Sequence, residues 1–114
     1  MRVLDREIRT GGAIVYGGVE ERAYSEAFAR YLGGGYAKAV NSGTTALYVA
    51  LRSLDLEPGS EVVVPPMTDP GGTMPVALLG CLPIPADAHR GSINTSAEEI
   101  EKVLTNRTAA MGST

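Results

Sequence analysis

Apolar residues recur along this chain at two spacings that alternate. In several segments they return every three or four positions, as on one face of a helix, and short apolar runs that suit strands lie between these segments. The pattern predicts helices at residues 19–32, 44–54 and 70–81, strands at residues 36–41, 61–65 and 82–87, a fourth helix after residue 96, and a last strand from about residue 106. This alternation predicts an α/β fold with a mostly parallel sheet flanked by helices.

The predicted helices and strands differ in their expected burial and in their expected position in the sheet. The run EVVVP at residues 61–65 is nearly continuous in β-branched residues, which is typical of a central parallel strand. Strand 82–87 carries two prolines, which suit a sheet edge because proline cannot donate a hydrogen bond to a strand ladder. Helix 44–54 is apolar on most sides, so we expect it to be buried between layers.

The chain is expected to have an N-terminal arm at residues 1–18 and one domain at residues 19–114. The arm ends in Tyr-Gly-Gly, a sequence that favours a flexible break. The domain is near the small end of the usual range for a single core.

Composition and charge indicate which cellular compartment and which classes of partner to expect. The formal net charge is -3, from 10 basic and 13 acidic residues with no basic block, so the sequence predicts no nucleic-acid partner. No apolar run approaches the roughly 20 residues of a membrane helix, and we expect no membrane partner. The first residues are charged, which argues against a secretory signal, and the single cysteine, Cys81, fits a reducing compartment. A cytoplasmic location is therefore expected.

The first candidate site is the sequence Ser42-Gly43-Thr44-Thr45, where strand 36–41 is expected to turn into helix 44–54. Backbone N–H groups at a helix start point outward, and the helix dipole favours an anion there, so the loop could hold a phosphate. The alternative is that Ser42 only caps the helix and Gly43 allows the turn. The glycine spacings of a P-loop and of a dinucleotide fingerprint are both missing.

A second candidate loop follows strand 61–65. The carboxyl ends of parallel strands open on one side of a sheet, so Thr68 and Asp69 could reach a ligand held by the first loop. Alternatively, Asp69 caps the next helix, as an aspartate before proline often does. Asp87, at the end of strand 82–87, could face the same crevice or be a solvated loop acid.

Four other side chains with reactive groups are assigned structural or surface roles. His89 lacks the neighbours that a metal site or a catalytic triad needs, and an exposed loop position is expected. Cys81 is expected to be buried and inert. The chain has two lysines: Lys38 falls within the predicted strand 36–41, and Lys102 on the polar face of the last helix.

Several motifs, in order and spacing, match one known family. They are YLG (31–33), YA (36–37), AVNSGTTAL (39–47), AL (50–51), PG (58–59), EVVVP (61–65), Pro83, Asp87 and the segment 100–108. On these residues the chain resembles the N-terminal part of the DegT/DnrJ/EryC1/StrS aminotransferases. These are pyridoxal 5'-phosphate (PLP) enzymes that aminate keto-sugars and keto-cyclitols.

The resemblance implies part of the large domain of the fold-type-I PLP-dependent transferases. It implies that Gly43, Thr44 and Thr45 contact the cofactor phosphate, with Ser42 beside them, which favours the phosphate interpretation of this loop. Asp69 stands where the family usually has an aromatic residue that stacks on the cofactor ring, so it is a candidate cofactor contact of a different kind.

The resemblance also implies that this chain is a truncated part of the enzyme. The family's chains are several times longer, and no lysine here matches the one that binds PLP covalently. We therefore expect a fragment or truncated relative that holds the cofactor phosphate without catalysing transamination alone. The alternatives are a small non-catalytic module that binds a phosphorylated ligand and a fragment that associates with itself, and a homo-oligomer is expected because an incomplete sheet leaves an unpaired edge.

Overall fold

The structure is a computed structural model that describes residues 5, 8, 9 and 17–112. The chain divides into two compact units, Met1–Val40 and Asn41–Thr114. Most of the predicted arm, residues 1–18, lies outside the described residues, and the boundary proposed for it stays a prediction.

In the described part of the first unit, helix α1 spans Val19–Tyr31. Two glutamates in its first turn complement the positive end of the helix dipole, and three glycines with positive φ follow its end at residues 33–35. One of these acids, Glu21, accepts a hydrogen bond from the backbone N–H of Gly17 (2.6 Å) and pairs with the ammonium group of Lys38. The helix predicted at residues 19–32 is confirmed.

The strand predicted at residues 36–41 is wrong, because these residues form no strand or helix. A strand exists only where a neighbour completes its hydrogen-bond ladder, and none of the described residues pairs with this segment. Lys38, expected within that strand, instead binds Glu21 of α1. Tyr36 is fully exposed.

The second unit alternates helices and strands, as the sequence predicts. Its elements are α2 (Gly43–Ser53), β1 (Glu61–Val64), α3 (Pro70–Leu78), β2 (Leu82–Pro85), α4 (Ala97–Val103) and β3 (Thr108–Met111). The strands form one parallel sheet in the order β2-β1-β3. The apolar strand β1 is central and the proline-bearing strand β2 is at an edge, so both predicted positions and the α/β fold class are confirmed.

The core of the second unit lies against β1. Val62 and Val64 pack with Val76 of α3 and with Cys81, and each of these four is at least 96% buried. Fully burying a valine side chain stabilises a fold by about 1.5–3 kcal/mol. Cys81 is buried, as expected from its apolar neighbourhood.

Two helix predictions need correction. None of the side chains of α2 is buried, and Leu47 and Val49 are each more than 40% exposed. The helix packs mainly against α3, and its Leu51 is partly buried against the core cluster. The predicted helix 70–81 ends at Leu78, since the chain turns at Gly80, whose φ of 73° is left-handed.

Candidate functional site

The start of α2 combines a helix cap with unused backbone donors. Ser42 is the N-cap, and its Oγ accepts a hydrogen bond from the N–H of Thr45 (3.1 Å). Capping by Ser42, the alternative interpretation of this loop, is therefore observed. It leaves the N–H groups of Gly43 and Thr44, which donate to no group among residues 5, 8, 9 and 17–112.

The space beside these two donors is open. A Cβ added to Gly43 would meet nothing within 4 Å, and residues 42–44 are exposed while Thr45 is half-buried. The first turn of α2 contains no acidic residue, so no carboxylate of that turn offsets the positive end of the helix dipole. Two N–H donors, open space at Gly43 and a first turn without an acid are features that fit a phosphate group.

The second predicted loop also contains a helix cap. Asp69 is the N-cap of α3, and its Oδ1 accepts a hydrogen bond from the N–H of Gly71 (2.7 Å). Pro70 takes the first position of the helix, where the N–H that proline lacks would have had no intrahelical partner. The capping interpretation of Asp69 is thus observed, and one of its carboxylate oxygens is engaged within its own loop.

The two loops meet at Gly71. A Cβ built on this buried glycine would lie 2.3 Å from Thr44 Oγ1 of α2 and 2.7 Å from Asp69 Oδ1. The structure thus brings together two of the predicted site residues, Thr44 and Asp69, at the starts of two adjacent helices. Sequence reasoning missed Gly71, although two consecutive glycines in the first turn of a helix, Gly71 and Gly72, are an unfavourable choice that signals a close approach.

The other candidate side chains have separate partners. The Asp87 carboxylate accepts a hydrogen bond from the N–H of Ala88 (2.7 Å) and is exposed, as expected for a solvated loop acid. His89 is exposed, and Lys102 pairs with Glu99 at 2.7 Å. Within the described part of the chain, no group of histidine, cysteine, aspartate and glutamate side chains could hold a metal ion.

One buried carboxylate escaped the sequence analysis. Glu61, which opens the central strand, is 3% exposed and accepts hydrogen bonds from Thr105 Oγ1 and from the guanidinium of Arg107. The bond from Thr105, followed by that from Arg107, holds the pKa of the Glu61 carboxyl below its ordinary value against the opposing effect of burial. The signal in the sequence was an acid at the start of an apolar strand. Its partners join β1 to the segment that leads into β3, which is a structural role.

No helix in the described residues combines the length and hydropathy that crossing a lipid bilayer requires.

Comparison with known proteins gives a consistent result. A sequence model of the DegT/DnrJ/EryC1/StrS aminotransferase family matches residues 4–112. GDP-perosamine synthase of Caulobacter vibrioides is 38% identical over 88 residues, which are 77% of this chain and 24% of that protein. The dTDP-3-amino-3,4,6-trideoxy-alpha-D-glucose transaminase of Streptomyces venezuelae is 36% identical over 94 residues, which are 82% of this chain and 25% of that protein.

A solved structure agrees with the sequence relatives. The aminotransferase from Psychrobacter cryohalolentis superimposes with a TM-score of 0.85 at 33% identity, over 94% of this chain and 27% of that one. The chain therefore spans about a quarter of the length of the proteins it matches.

Proposed function

This chain belongs to the DegT/DnrJ/EryC1/StrS aminotransferase family, and from that premise we propose that residues 42–45 hold the phosphate of PLP at the start of α2. Proteins of the family and their structural neighbours depend on PLP. When bound, PLP supplies the aldehyde and the electron-withdrawing ring for amino-group transfer. The role of this segment is to bind and orient the phosphate, and Asp69 lies beside that site.

One observation carries this proposal: the N–H groups of Gly43 and Thr44 are unpaired among the described residues, and a Cβ added to Gly43 would meet nothing within 4 Å. Hydrogen bonds to a charged group contribute about 1.5–3 kcal/mol each. The Ser42 cap does not compete with this use, since the only backbone N–H that it occupies among the described residues is that of Thr45, and its second contact is with the Thr45 hydroxyl. Capping and phosphate binding are thus compatible in one loop.

The reaction of the whole protein is proposed from its relatives. Their names describe proteins that make or transaminate nucleotide-linked amino sugars. We propose a keto-sugar or keto-cyclitol as amino acceptor and glutamate or glutamine as donor, in the cytoplasm. In this proposal residues 42–45 contribute the phosphate loop and the chain attaches PLP through no covalent bond, because neither Lys38 nor Lys102 matches the family's PLP-binding lysine.

The test is a titration of the 114-residue chain with PLP and with pyridoxal, which lacks the phosphate. PLP is expected to bind more tightly, and Gly43→Ala is expected to weaken PLP alone by about tenfold, because its methyl group enters the phosphate approach. Gly112→Ala is the matched control, since its Cβ would make only one ordinary contact, 4.0 Å from the carbonyl of Val63. Equal affinity for the two ligands would refute the proposal.

Covalent attachment has a separate test. After borohydride reduction in the presence of PLP, the intact mass of the chain is expected to be unchanged. Both lysines already pair with carboxylates, Lys38 with Glu21 and Lys102 with Glu99. A stoichiometric mass increase on one lysine would contradict the non-covalent assignment.

A second candidate function, a self-associating fragment, is favoured by the edge of the sheet. Strand β3 is the last strand in the order β2-β1-β3, and a cleft of about 610 Å³ beside it is lined by apolar side chains that include Leu54, Leu104 and Met111. An exposed strand edge with apolar neighbours favours pairing with another chain. Light scattering tests this function: a dimer without ligand supports it, and a monomer at all concentrations opposes it.

A further inference from the structure

The first turn of α3 is built from residues that weaken a helix. After Pro70 come Gly71 and Gly72, and a glycine inside a helix costs about 1 kcal/mol relative to alanine. Neither glycine has a positive φ, so neither is required by the backbone conformation. The space around them supplies the reason instead.

The two glycines make room for different neighbours. A Cβ on Gly71 would lie 2.3 Å from Thr44 Oγ1, on the adjacent helix α2, whereas a Cβ on Gly72 would lie 2.4 Å from Thr68 Oγ1, in the same loop. Contacts below 3.0 Å are essentially absent between real Cβ atoms and their neighbours, so a side chain at either position forces a displacement. Only at Gly71 does that displacement fall on a residue of the proposed phosphate loop.

We propose that Gly71 is a positioning residue for the phosphate site, because its missing side chain lets the Thr44 hydroxyl rest against the start of α3 while the Thr44 N–H faces the ligand. This inference rests on the proposed function. A methyl group at position 71 overlaps Oγ1 and approaches the Thr44 Cβ at 3.4 Å. The cheapest relief is rotation of Thr44 about χ1, which changes where its hydroxyl points.

A side chain at position 71 would also affect Asp69. Its Oδ1 would lie 2.7 Å from the added Cβ, so Gly71→Ala also presses on the carboxylate that caps α3. A carboxylate near Thr44 repels a phosphate. The glycine therefore keeps two groups, one attractive and one repulsive to an anion, in fixed positions on either side of residue 71.

The inference is tested with four variants of the full chain: Gly71→Ala, Gly72→Ala, Thr44→Ala and the double variant of residues 44 and 71. Each is titrated with PLP and pyridoxal, and its melting temperature is recorded by circular dichroism. Gly71→Ala is expected to weaken PLP by about tenfold and to leave pyridoxal unchanged. Gly72→Ala is the matched control, with a lower melting temperature and an unchanged ratio of PLP to pyridoxal affinity.

The double variant shows whether Gly71 acts through Thr44. In the Thr44→Ala background the overlap with Thr44 Oγ1 is gone and only that with Asp69 remains, so adding Gly71→Ala is expected to cost less PLP affinity than it does in the wild-type chain. Additive losses would overturn the inference, as would wild-type PLP binding by Gly71→Ala or an equal loss for pyridoxal. If Gly71→Ala alone is unfolded, the double variant is expected to fold, and an unfolded double variant would also overturn it.

The outcomes separate the two proposals. A wild-type chain that binds PLP while Gly71→Ala binds it equally well removes only this inference. A wild-type chain that binds PLP no better than pyridoxal removes the proposed function, and this inference with it.

Discussion

Helices α2 and α4 begin with the same cap but in different electrostatic surroundings. Ser42 Oγ accepts from the N–H three residues on at 3.1 Å, and Ser96 Oγ does so at 3.4 Å. The first turn of α4 carries Glu98 and Glu99, whereas that of α2 carries no acid. A serine cap therefore marks the start of a helix. Whether that helix start favours a bound anion depends on the charges of the next three residues.

The two helix starts also differ in the free space beside their first residue. The first residue of α2 is Gly43, beside which a Cβ would meet nothing, and the first residue of α4 is Ala97. Glu99 already pairs with Lys102, and this contact raises the pKa of the lysine, with the hydrogen bond as the main cause. The N–H groups of Ala97 and Glu98 also have no partner among the described residues, so the two helix starts differ in their acids and in the room beside their first residue, not in their backbone donors.

Helices α2 and α4 both depend on the folded sheet, and the largest effect on stability is expected from a change in that sheet. Glu61→Ala is expected to lower the free energy of unfolding more than loss of either serine cap, because it leaves the Thr105 and Arg107 donors without their acceptor. Urea denaturation at neutral pH measures the change. A loss no larger than that of Ser96→Ala would contradict the role given to Glu61.

The same carboxylate predicts an acid dependence. The folded-state pKa of Glu61 lies below its ordinary value of 4.5, so its stabilising contribution is complete above pH 4.5. That contribution is lost as the pH falls below 4.5 and through the lowered pKa, where the folded chain takes up the proton. Glu61→Gln is the control, and its stability is expected to fall less steeply across this range.

The next effect converts one helix start into the other. Thr45→Glu gives α2 the Ser-x-x-Glu sequence of α4, and it is expected to weaken PLP binding by at least about tenfold through charge repulsion. Stability is expected to rise by about 0.3–1 kcal/mol, because the acid complements the helix dipole. The reciprocal variant, Glu99→Thr, is expected to gain no PLP binding, since Ala97 occupies the approach that Gly43 leaves open. Undiminished PLP binding by Thr45→Glu would contradict the claim that the lack of an acid in the first turn of α2 favours phosphate binding.

A smaller effect compares the caps directly. Ser42→Ala and Ser96→Ala are each expected to cost about 0.5–2 kcal/mol of stability. The loss at Ser42 is expected to be the larger, since its hydrogen bond is shorter, 3.1 Å against 3.4 Å. Equilibrium urea denaturation of the two variants decides the order, and a larger loss at Ser96 would reverse it.

The smallest effect is expected from the ion pair on α4. Lys102→Met removes an exposed partner of Glu99, and its stability cost is expected to be below that of Ser96→Ala and to shrink in high salt. Because the pKa of Lys102 is raised, the pair stabilises the fold at pH values below the ordinary lysine pKa of 10.5. This stabilisation is lost as the pH rises through the folded-state pKa. Salt-independent loss in the variant would point to lost packing instead.

Several features of this protein follow from short stretches of its sequence. Ser42, Asp69 and Ser96 cap their helices because an N-cap hydrogen bond reaches only two or three residues along the chain. The prolines of β2 assign it to an edge because they lack the donors that a second neighbour would need, and the β-branched run of β1 assigns it to the centre. The family could be identified for the same reason, since its motifs are local and ordered.

Tertiary structure decided the rest, because burial and strand pairing depend on partners that lie far along the chain. Residues 36–41 have the composition of a strand but pair with no neighbour among the described residues. Helix α2 has the composition of a buried helix, yet none of its side chains is buried where it packs on α3. The approach of Thr44 to Asp69 across Gly71 likewise depends on the packing of α2 against α3. A sequence pattern records which surfaces are apolar, whereas only the packed chain shows which other element meets them.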